Sequence, residues 1–174
     1  LLLWGGWYLG TYSGDFRADI FDPSQAVVGP READEEAAEE EVSLAELGAT
    51  VYGQNCAACH QANGGGVTGS LPPLRNSAWV EKPAGVLVRL VLDGLQGPIE
   101  VAGVRYNGVM PAWRDQLDDR EIAGVLTYIR SSFGNAAPEV TPEYVAEVRE
   151  TTADRGGETW QADALLAMED ELAD

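Results

Sequence analysis

Both cysteines and the single histidine of this chain lie within one short stretch, Cys56-Ala57-Ala58-Cys59-His60. In a Cys-x-x-Cys-His sequence, the two thiols can form thioethers with the vinyl groups of a haem, and the adjacent imidazole can bind the iron as its proximal ligand. The pattern therefore predicts one covalently attached haem c, held by Cys56, Cys59 and His60.

Three other uses of this motif compete with haem attachment. A structural zinc site takes four ligands, and the chain has only these three Cys and His residues. A thioredoxin-like dithiol follows a buried strand in a βαβ pattern, whereas the residues before Cys56 have a helical pattern. A disulfide between Cys56 and Cys59 would close a very short loop and add little stability. Haem attachment is the favoured interpretation.

A second axial ligand can be sought by elimination, because the chain has no other histidine and only two methionines. Met110 lies before Pro111 in a segment that we expect to be an irregular loop. Met168 lies in an acidic, helix-like stretch near the C-terminus, and Lys82, the next candidate, lies in an expected surface turn. His/Met ligation is a known haem arrangement, so the sequence favours Met110 as the distal iron ligand.

A haem iron with His60 and Met110 on its two faces has no open position for a substrate, which predicts outer-sphere transfer of single electrons. Methionine sulfur and an apolar surrounding both favour ferrous iron, so we expect a high reduction potential. The alternative is a haem-based gas sensor or peroxidase-like enzyme with an open distal position. A further possibility is a structural subunit whose haem lies outside any electron path.

Two capping boxes delimit the domain that must position these residues. Ser43-Leu44-Ala45-Glu46 predicts the start of a helix that ends at the haem motif, and Asp118-Asp119-Arg120-Glu121 predicts the start of a last helix that stops near Gly134. Gly48 on the first helix and Tyr128 on the last predict a close crossing of the two.

The intervening segments are shorter and must cover the haem. A glycine loop is followed by a rigid extended turn, two short helices and a small hairpin. In order, these segments are Gly64-Gly65-Gly66, Leu71-Pro72-Pro73-Leu74, the pair formed by Trp79-Val80 and residues 86–91, and the strands Ile99-Glu100-Val101 and Val104-Arg105-Tyr106.

Four motifs in this order resemble the class I cytochromes c. They are Cys56-Ala-Ala-Cys-His60, Leu71-Pro-Pro-Leu74, Gly108-Val-Met-Pro-Ala-Trp113 and Tyr128-Ile-Arg-Ser-Ser-Phe-Gly134. The resemblance spans residues 43–135 and implies a small all-α bundle around one haem c, with His60 and Met110 as axial ligands. It also implies that the Pro72 carbonyl accepts a hydrogen bond from the proximal histidine. Tyr106, Asn107 and Trp113 are candidates for contacts near the haem edge and propionates.

The charge of the chain restricts its partners. The formal net charge is −18, from 29 acidic and 11 basic residues, and Lys82 is the only lysine. Nucleic acids and anionic membrane surfaces are therefore poor partners. The charge predicts either a redox partner with a basic docking face or only high solubility. The lysine ring that mitochondrial-type cytochromes c use for docking is missing, which argues against an acidic docking partner.

The N-terminal flank predicts attachment to a membrane. Residues 1–12 are apolar with clustered aromatics, which is typical of the end of a membrane helix; packing on a neighbouring subunit or on the domain is the alternative. Residues 13–42 read as an irregular acidic tether with Phe16, Ile20 and Phe21 as apolar contacts. Because haem is attached outside the bacterial cytoplasm, we expect the periplasmic face of the membrane.

Residues 136–174 form a C-terminal extension. Thr141-Pro142-Glu143 predicts a helix start, and residues 160–168 predict a second short helix. The extension could be a strap over the haem domain or a contact with another subunit, and we favour the second. The flanks resemble those of anchored cytochrome c subunits of bacterial respiratory complexes, such as alternative complex III or a haem-copper oxidase. Redox partner proteins in such a complex are thus the expected partners.

Overall fold

The computed structural model describes residues 42–172, which contain six α-helices and one β-hairpin. The helices are α1 (Leu44–Val51), α2 (Ala57–His60), α3 (Ala84–Asp93), α4 (Asp119–Ser131), α5 (Pro142–Thr151) and α6 (Ala162–Ala167). The strands are β1 (Leu95–Val101) and β2 (Val104–Met110). A π-helical turn, Tyr52–Cys56, joins α1 to α2, and 3₁₀ turns cover Ala153–Arg155 and Glu169–Leu172.

Reciprocal capping boxes start α1 and α4. The Ser43 hydroxyl accepts from the Glu46 amide at 3.3 Å, and the Glu46 carboxylate accepts from the Ser43 amide at 3.1 Å. Asp118 and Glu121 exchange the equivalent bonds at 2.8 and 2.9 Å. Each box satisfies amides that have no partner within the helix, and both predicted helix starts are confirmed.

Helices α1 and α4 cross where two glycines meet. A methyl group at Gly48 would overlap the carbonyl of Gly124 and would lie 2.9 Å from Cβ of Tyr128. Only glycine lets the two backbones come this close. The predicted crossing at Gly48 is confirmed, with the backbone of Gly124 as its nearest contact and Tyr128 beside it.

Two apolar clusters form the interior of the described residues. The first is shared by α1, α3, α4 and α5, and its fully buried members include Val88, Leu92 and Ile122. The second lies between the hairpin and the C-terminal extension and includes Leu95 and Trp160. Helix α3 supplies buried residues to both clusters and therefore packs between them.

The hairpin shows that the predicted all-α class is wrong in one respect. The strands expected at 99–101 and 104–106 are present, but pairing continues from Val101↔Val104 to Leu95↔Met110. In β1, Gly97 has a φ of +93° and Pro98 has no amide hydrogen. Both residues interrupt the alternating pattern that identifies a strand in a sequence. The fold is mostly helical with a small antiparallel sheet.

The prediction of a short helix at Trp79 and Val80 is also wrong. The Val80 amide donates to the Ser77 carbonyl, and the Lys82 amide donates to the Trp79 carbonyl, which gives consecutive turns. Pro83 has no amide hydrogen to continue the series, and α3 begins only after it. The apolar residues of 86–91 do form a helix, as expected.

The C-terminal extension packs against the same two clusters. Thr141 caps α5 by accepting from the Tyr144 amide, which confirms the predicted helix start. Val145 and Val148 are buried in the first cluster, and Trp160 is buried in the second, just before α6. The extension is therefore a strap over the domain. The expected contact with another subunit stays a prediction.

The expected membrane anchor at 1–12 and the contacts at Phe16, Ile20 and Phe21 lie outside the described residues. The same holds for all of the expected tether except Val42. Between residues 42 and 172, no helix is both long and apolar enough to span a membrane.

Candidate functional site

The π-helical turn places the two cysteines at the border of the first cluster. Cys56 packs against that cluster, while Cys59 on α2 is exposed. The chain then reverses at Gln61, which has a φ of +65°. The Tyr52 hydroxyl donates to the Gln61 carbonyl at 2.6 Å and so holds the start of the turn to the end of α2. Both ends of the motif are thereby fixed to the domain.

The chemistry of the thiols does not favour the alternatives to haem. The two cysteines are free, so no disulfide joins them. Burial, together with Cys59, raises the pKa of Cys56 to about 11, whereas a redox-active dithiol needs a lowered pKa. Within the described range, no group of three or more His, Cys, Asp or Glu side chains could hold a metal ion by itself.

The imidazole of His60 is oriented by one hydrogen bond. Its Nδ1 lies 2.9 Å from the Pro72 carbonyl oxygen. Because a carbonyl only accepts, Nδ1 must carry the proton, and the neutral ring then has its lone pair on Nε2. Burial lowers the pKa of His60, although the bond to Pro72 opposes this shift. The ring is thus held in the neutral form that can bind a metal.

A glycine loop holds the Pro72 carbonyl in place. The Gly66 amide donates to the His60 carbonyl at 2.9 Å, and Gly66 has a φ of +59°. A methyl group at this position would overlap the Leu71 carbonyl oxygen and would lie 2.7 Å from the carbonyl atoms of Pro72. Glycine is therefore required for the close approach of the two segments, and it links the end of α2 to the turn that carries Pro72.

Met110 ends β2 and does not lie in an irregular loop, which corrects the sequence-based expectation. It pairs with Leu95 and packs against both apolar clusters. After Pro111, the Trp113 amide donates to the Val91 carbonyl at 3.0 Å, which ties the following residues to α3. Met110 and Cys56 border the same first cluster.

The three remaining candidates have different environments. Tyr106 is buried in the second cluster, where its ring contributes to packing. Asn107 is exposed on the hairpin. Trp113 is half-buried and packs against the first cluster, the same cluster that Cys56 and Met110 border. Of the three, Trp113 is the one that the structure brings to this border.

Sequence reasoning did not identify two residues that support the site. Tyr52 fixes the motif through Gln61, and its ring packs against Phe133 with centroids 5.2 Å apart. The Asn135 amide nitrogen donates to the Leu74 carbonyl, just after the Pro72 turn, at 2.9 Å. An aromatic residue one turn before the motif was a usable signal for Tyr52. No local signal existed for Asn135, because Leu74 lies 61 positions away in the sequence.

The arrangement suits a covalently bound porphyrin. Two free thiols lie three positions apart, and the adjacent imidazole is neutral and oriented. Leu74, Met110 and Trp113 pack against the same first cluster as Cys56 and give it an apolar border. Thioether formation needs such thiols, and a large macrocycle needs such an apolar wall.

Comparison with known sequences gives the same result. The cytochrome c family model matches residues 45–133. Cytochrome c-552 of Thermus thermophilus is 47% identical over 93 residues, covering 51% of this chain and 70% of that protein.

Subunits of larger complexes are also similar. The cytochrome c subunit of a quinone alcohol dehydrogenase from Gluconacetobacter polyoxogenes is 34% identical over 118 residues, which cover 66% of this chain and 25% of that subunit. A subunit of a cbb3-type cytochrome c oxidase from Azospirillum brasilense is 33% identical over 100 residues, 54% of this chain and 30% of that subunit. These alignments span a quarter to a third of the length of the two subunits. This chain belongs to the cytochrome c family of electron-transfer proteins and carries one covalently bound haem c, with Cys56 and Cys59 in the attachment motif.

Proposed function

We propose that this protein is a one-electron carrier whose haem iron is bound by His60 on one face and Met110 on the other. The observation that carries this proposal is the 2.9 Å contact between His60 Nδ1 and the Pro72 carbonyl. It leaves Nε2 as the ring nitrogen with a free lone pair and raises the basicity of the imidazole. Cys56 and Met110 flank the same apolar cluster, which supports a haem held between them.

The surroundings of the other possible ligands support Met110. Met168 packs only against the second cluster, whereas Cys56 packs against the first. The Lys82 ammonium donates to the Glu169 carboxylate at 2.6 Å and is largely buried. Lys82 would have to break this ion pair to reach iron, and Met168 packs against a different cluster from Cys56. Met110 has neither obstacle.

The bound haem supplies a ferric/ferrous couple. The residues of this chain hold the haem, orient the proximal imidazole and exclude water with apolar side chains such as Leu74 and Trp113. A thioether sulfur and an apolar wall both stabilise the less charged ferrous state, so a high potential is expected. If His60 and Met110 both bind the iron, no open position would be left for a substrate.

The ligand assignment can be tested by replacing Met110 with alanine. Met110→Ala should abolish the weak far-red absorption band that methionine ligation gives ferric haem, and it should allow the ferrous protein to bind carbon monoxide. Met168→Ala is the matched control, and it should keep the band and bind no carbon monoxide. If the wild-type protein lacks the band and binds carbon monoxide readily, the sensor or peroxidase-like alternative is correct instead.

We further propose that the carrier works as a subunit of a bacterial respiratory complex, at the periplasmic face of the membrane. The similar proteins that are cytochrome c subunits of a dehydrogenase and of an oxidase support this, as does the aromatic, apolar stretch at 1–12. The net charge of −18 favours a partner with a basic docking face.

Purification of the native protein tests this second proposal. After mild detergent extraction, the haem should co-purify with other redox subunits, and electron transfer to them should slow as salt is raised. Recovery of the protein as a free monohaem species from the soluble fraction would contradict the proposal. The ligand assignment would not be affected by that result.

A further inference from the structure

A carboxylate with no solvent exposure lies at the end of α3. Asp93 is fully buried, and its Oδ1 accepts from Arg114 Nε at 2.8 Å. Its Oδ2 accepts from the indole nitrogen of Trp160 at 3.2 Å. The Arg155 guanidinium lies over the Trp160 ring, 3.4 Å from its centroid, and its Nε is 3.9 Å from the same oxygen. A buried charge is tolerated only with partners of this kind.

The same network reaches the segment that follows Met110. The amides of Trp113 and Arg114 donate to carbonyls in the last turn of α3, at 3.0 and 3.1 Å. The side chain of Arg114 then returns to Asp93 and also donates to the Thr152 hydroxyl at 2.6 Å. Trp113 is therefore bound to α3 through its backbone, and Arg114 through both its backbone and its side chain.

Trp160 holds the other side of Met110 through Leu95. The Trp160 amide donates to the Gly94 carbonyl at 3.1 Å, and the Gln96 amide donates to the Trp160 carbonyl at 2.8 Å. Trp160 thus forms a parallel bridge with Leu95, which in turn pairs with Met110 on β2. At Gly94, a methyl group would overlap the Met110 carbonyl, so this junction has no spare room.

We propose that Asp93, Arg114 and Trp160 are positioning residues for Met110, and that the C-terminal extension keeps the methionine sulfur on the haem iron. This inference rests on the proposed ligation by Met110. Trp160 is the essential link, because two indirect connections join it to the Met110 segment. One is the Asp93 carboxylate, which also binds Arg114, and the other is the Leu95 backbone, which pairs with Met110. The extension therefore sets how often the distal ligand dissociates.

Two substitutions test this role in the full-length protein with haem bound. Trp160→Phe keeps a ring but removes the N–H donor, and Asp93→Asn keeps the shape but removes the charge. Glu169→Gln is the matched control, because it weakens another contact of the extension, to Lys82, that does not touch residues 110–114. Imidazole binding to ferric haem and the far-red band are measured at temperatures where far-ultraviolet circular dichroism shows the protein still folded.

Dissociation of Met110 should become easier without unfolding. Loss of one donor to a buried carboxylate predicts on the order of a tenfold gain in apparent imidazole affinity for Trp160→Phe. On heating, the far-red band of Trp160→Phe should be lost at a temperature at which the protein is still folded. Asp93→Asn should also raise the imidazole affinity and cause loss of the far-red band before unfolding. Glu169→Gln should leave the imidazole affinity and the band unchanged.

Two results would overturn the inference while leaving the ligand assignment intact. One is unchanged imidazole affinity in both Trp160→Phe and Asp93→Asn, with the wild-type band present. The other is an equal effect of Glu169→Gln, which would indicate general loosening of the extension. A wild-type protein without the far-red band would overturn the ligation by Met110, and this inference with it.

Discussion

Replacing Gly66 with alanine tests how the Pro72 carbonyl is held against His60. Gly66 has a φ of +59°, a conformation that costs a residue with a side chain ~1–2 kcal/mol. The added methyl would also overlap the Leu71 carbonyl oxygen and lie 2.7 Å from the carbonyl atoms of Pro72. These neighbours are backbone atoms, so they can yield only by moving the turn that carries Pro72.

Gly69 provides the matched control in the same loop. It has a φ of +78°, but a methyl group there would meet nothing within 4 Å. Gly69→Ala should therefore lower the free energy of unfolding by only ~1–2 kcal/mol, the conformational cost. Gly66→Ala should lower it by a further ~1–3 kcal/mol, the cost of overpacking. The difference between the two variants isolates the close contact with Pro72.

The assay combines denaturant unfolding of the ferric protein with a redox titration. If Pro72 moves away from His60, the imidazole becomes less basic and ferric iron loses stabilisation, so the potential should rise. A loss of ~0.5–1 kcal/mol of this stabilisation corresponds to a rise of ~20–40 mV for a one-electron couple. Equal stabilities and equal potentials for Gly66→Ala and Gly69→Ala would refute the reasoning.

Three further substitutions test the scaffold by thermal or denaturant unfolding. Gly48→Ala should destabilise the fold by ~1–3 kcal/mol because its methyl would overlap the Gly124 carbonyl. Gly53→Ala is the control, and it should stabilise the fold slightly because a methyl group there meets no other atom within 4 Å. Equal effects of the two substitutions would contradict the close helix crossing. Thr141→Ala should cost ~1 kcal/mol through loss of the α5 cap, and no change would contradict the cap. Tyr52→Phe should cost ~1 kcal/mol at neutral pH. Burial raises the pKa of Tyr52 from 10.0 to about 12. The contribution of its phenol to the free energy of unfolding should therefore be complete below pH 10 and decline as the pH rises towards 12. A difference in stability between wild type and Tyr52→Phe that does not depend on pH would contradict this prediction.

The parts of the fold that could be predicted from the sequence are those with local signals. The capping boxes at Ser43 and Asp118 and the cap at Thr141 each depend on residues within one helical turn. The hairpin was recognised only where its residues alternate, because Gly97 and Pro98 conceal the first half of β1.

The residues of the candidate site also differ in whether a local sequence pattern indicates them. The spacing of Cys56, Cys59 and His60 is a local pattern, so the attachment motif could be identified directly. The contact between Asp93 and Trp160 joins residues 67 positions apart, and no periodicity or composition indicates which distant side chain fills a buried site. The docking of the C-terminal extension, which depends on such contacts, therefore could not be predicted.

X-ray absorption at the iron K-edge of the purified ferric protein tests the central claim most directly. Ligation by His60 and Met110 predicts a six-coordinate iron with one sulfur and five nitrogen neighbours, four of them from the porphyrin. The sulfur should disappear in Met110→Ala and persist in Met168→Ala. A wild-type spectrum with nitrogen neighbours alone, or with five-coordinate iron, would contradict the account.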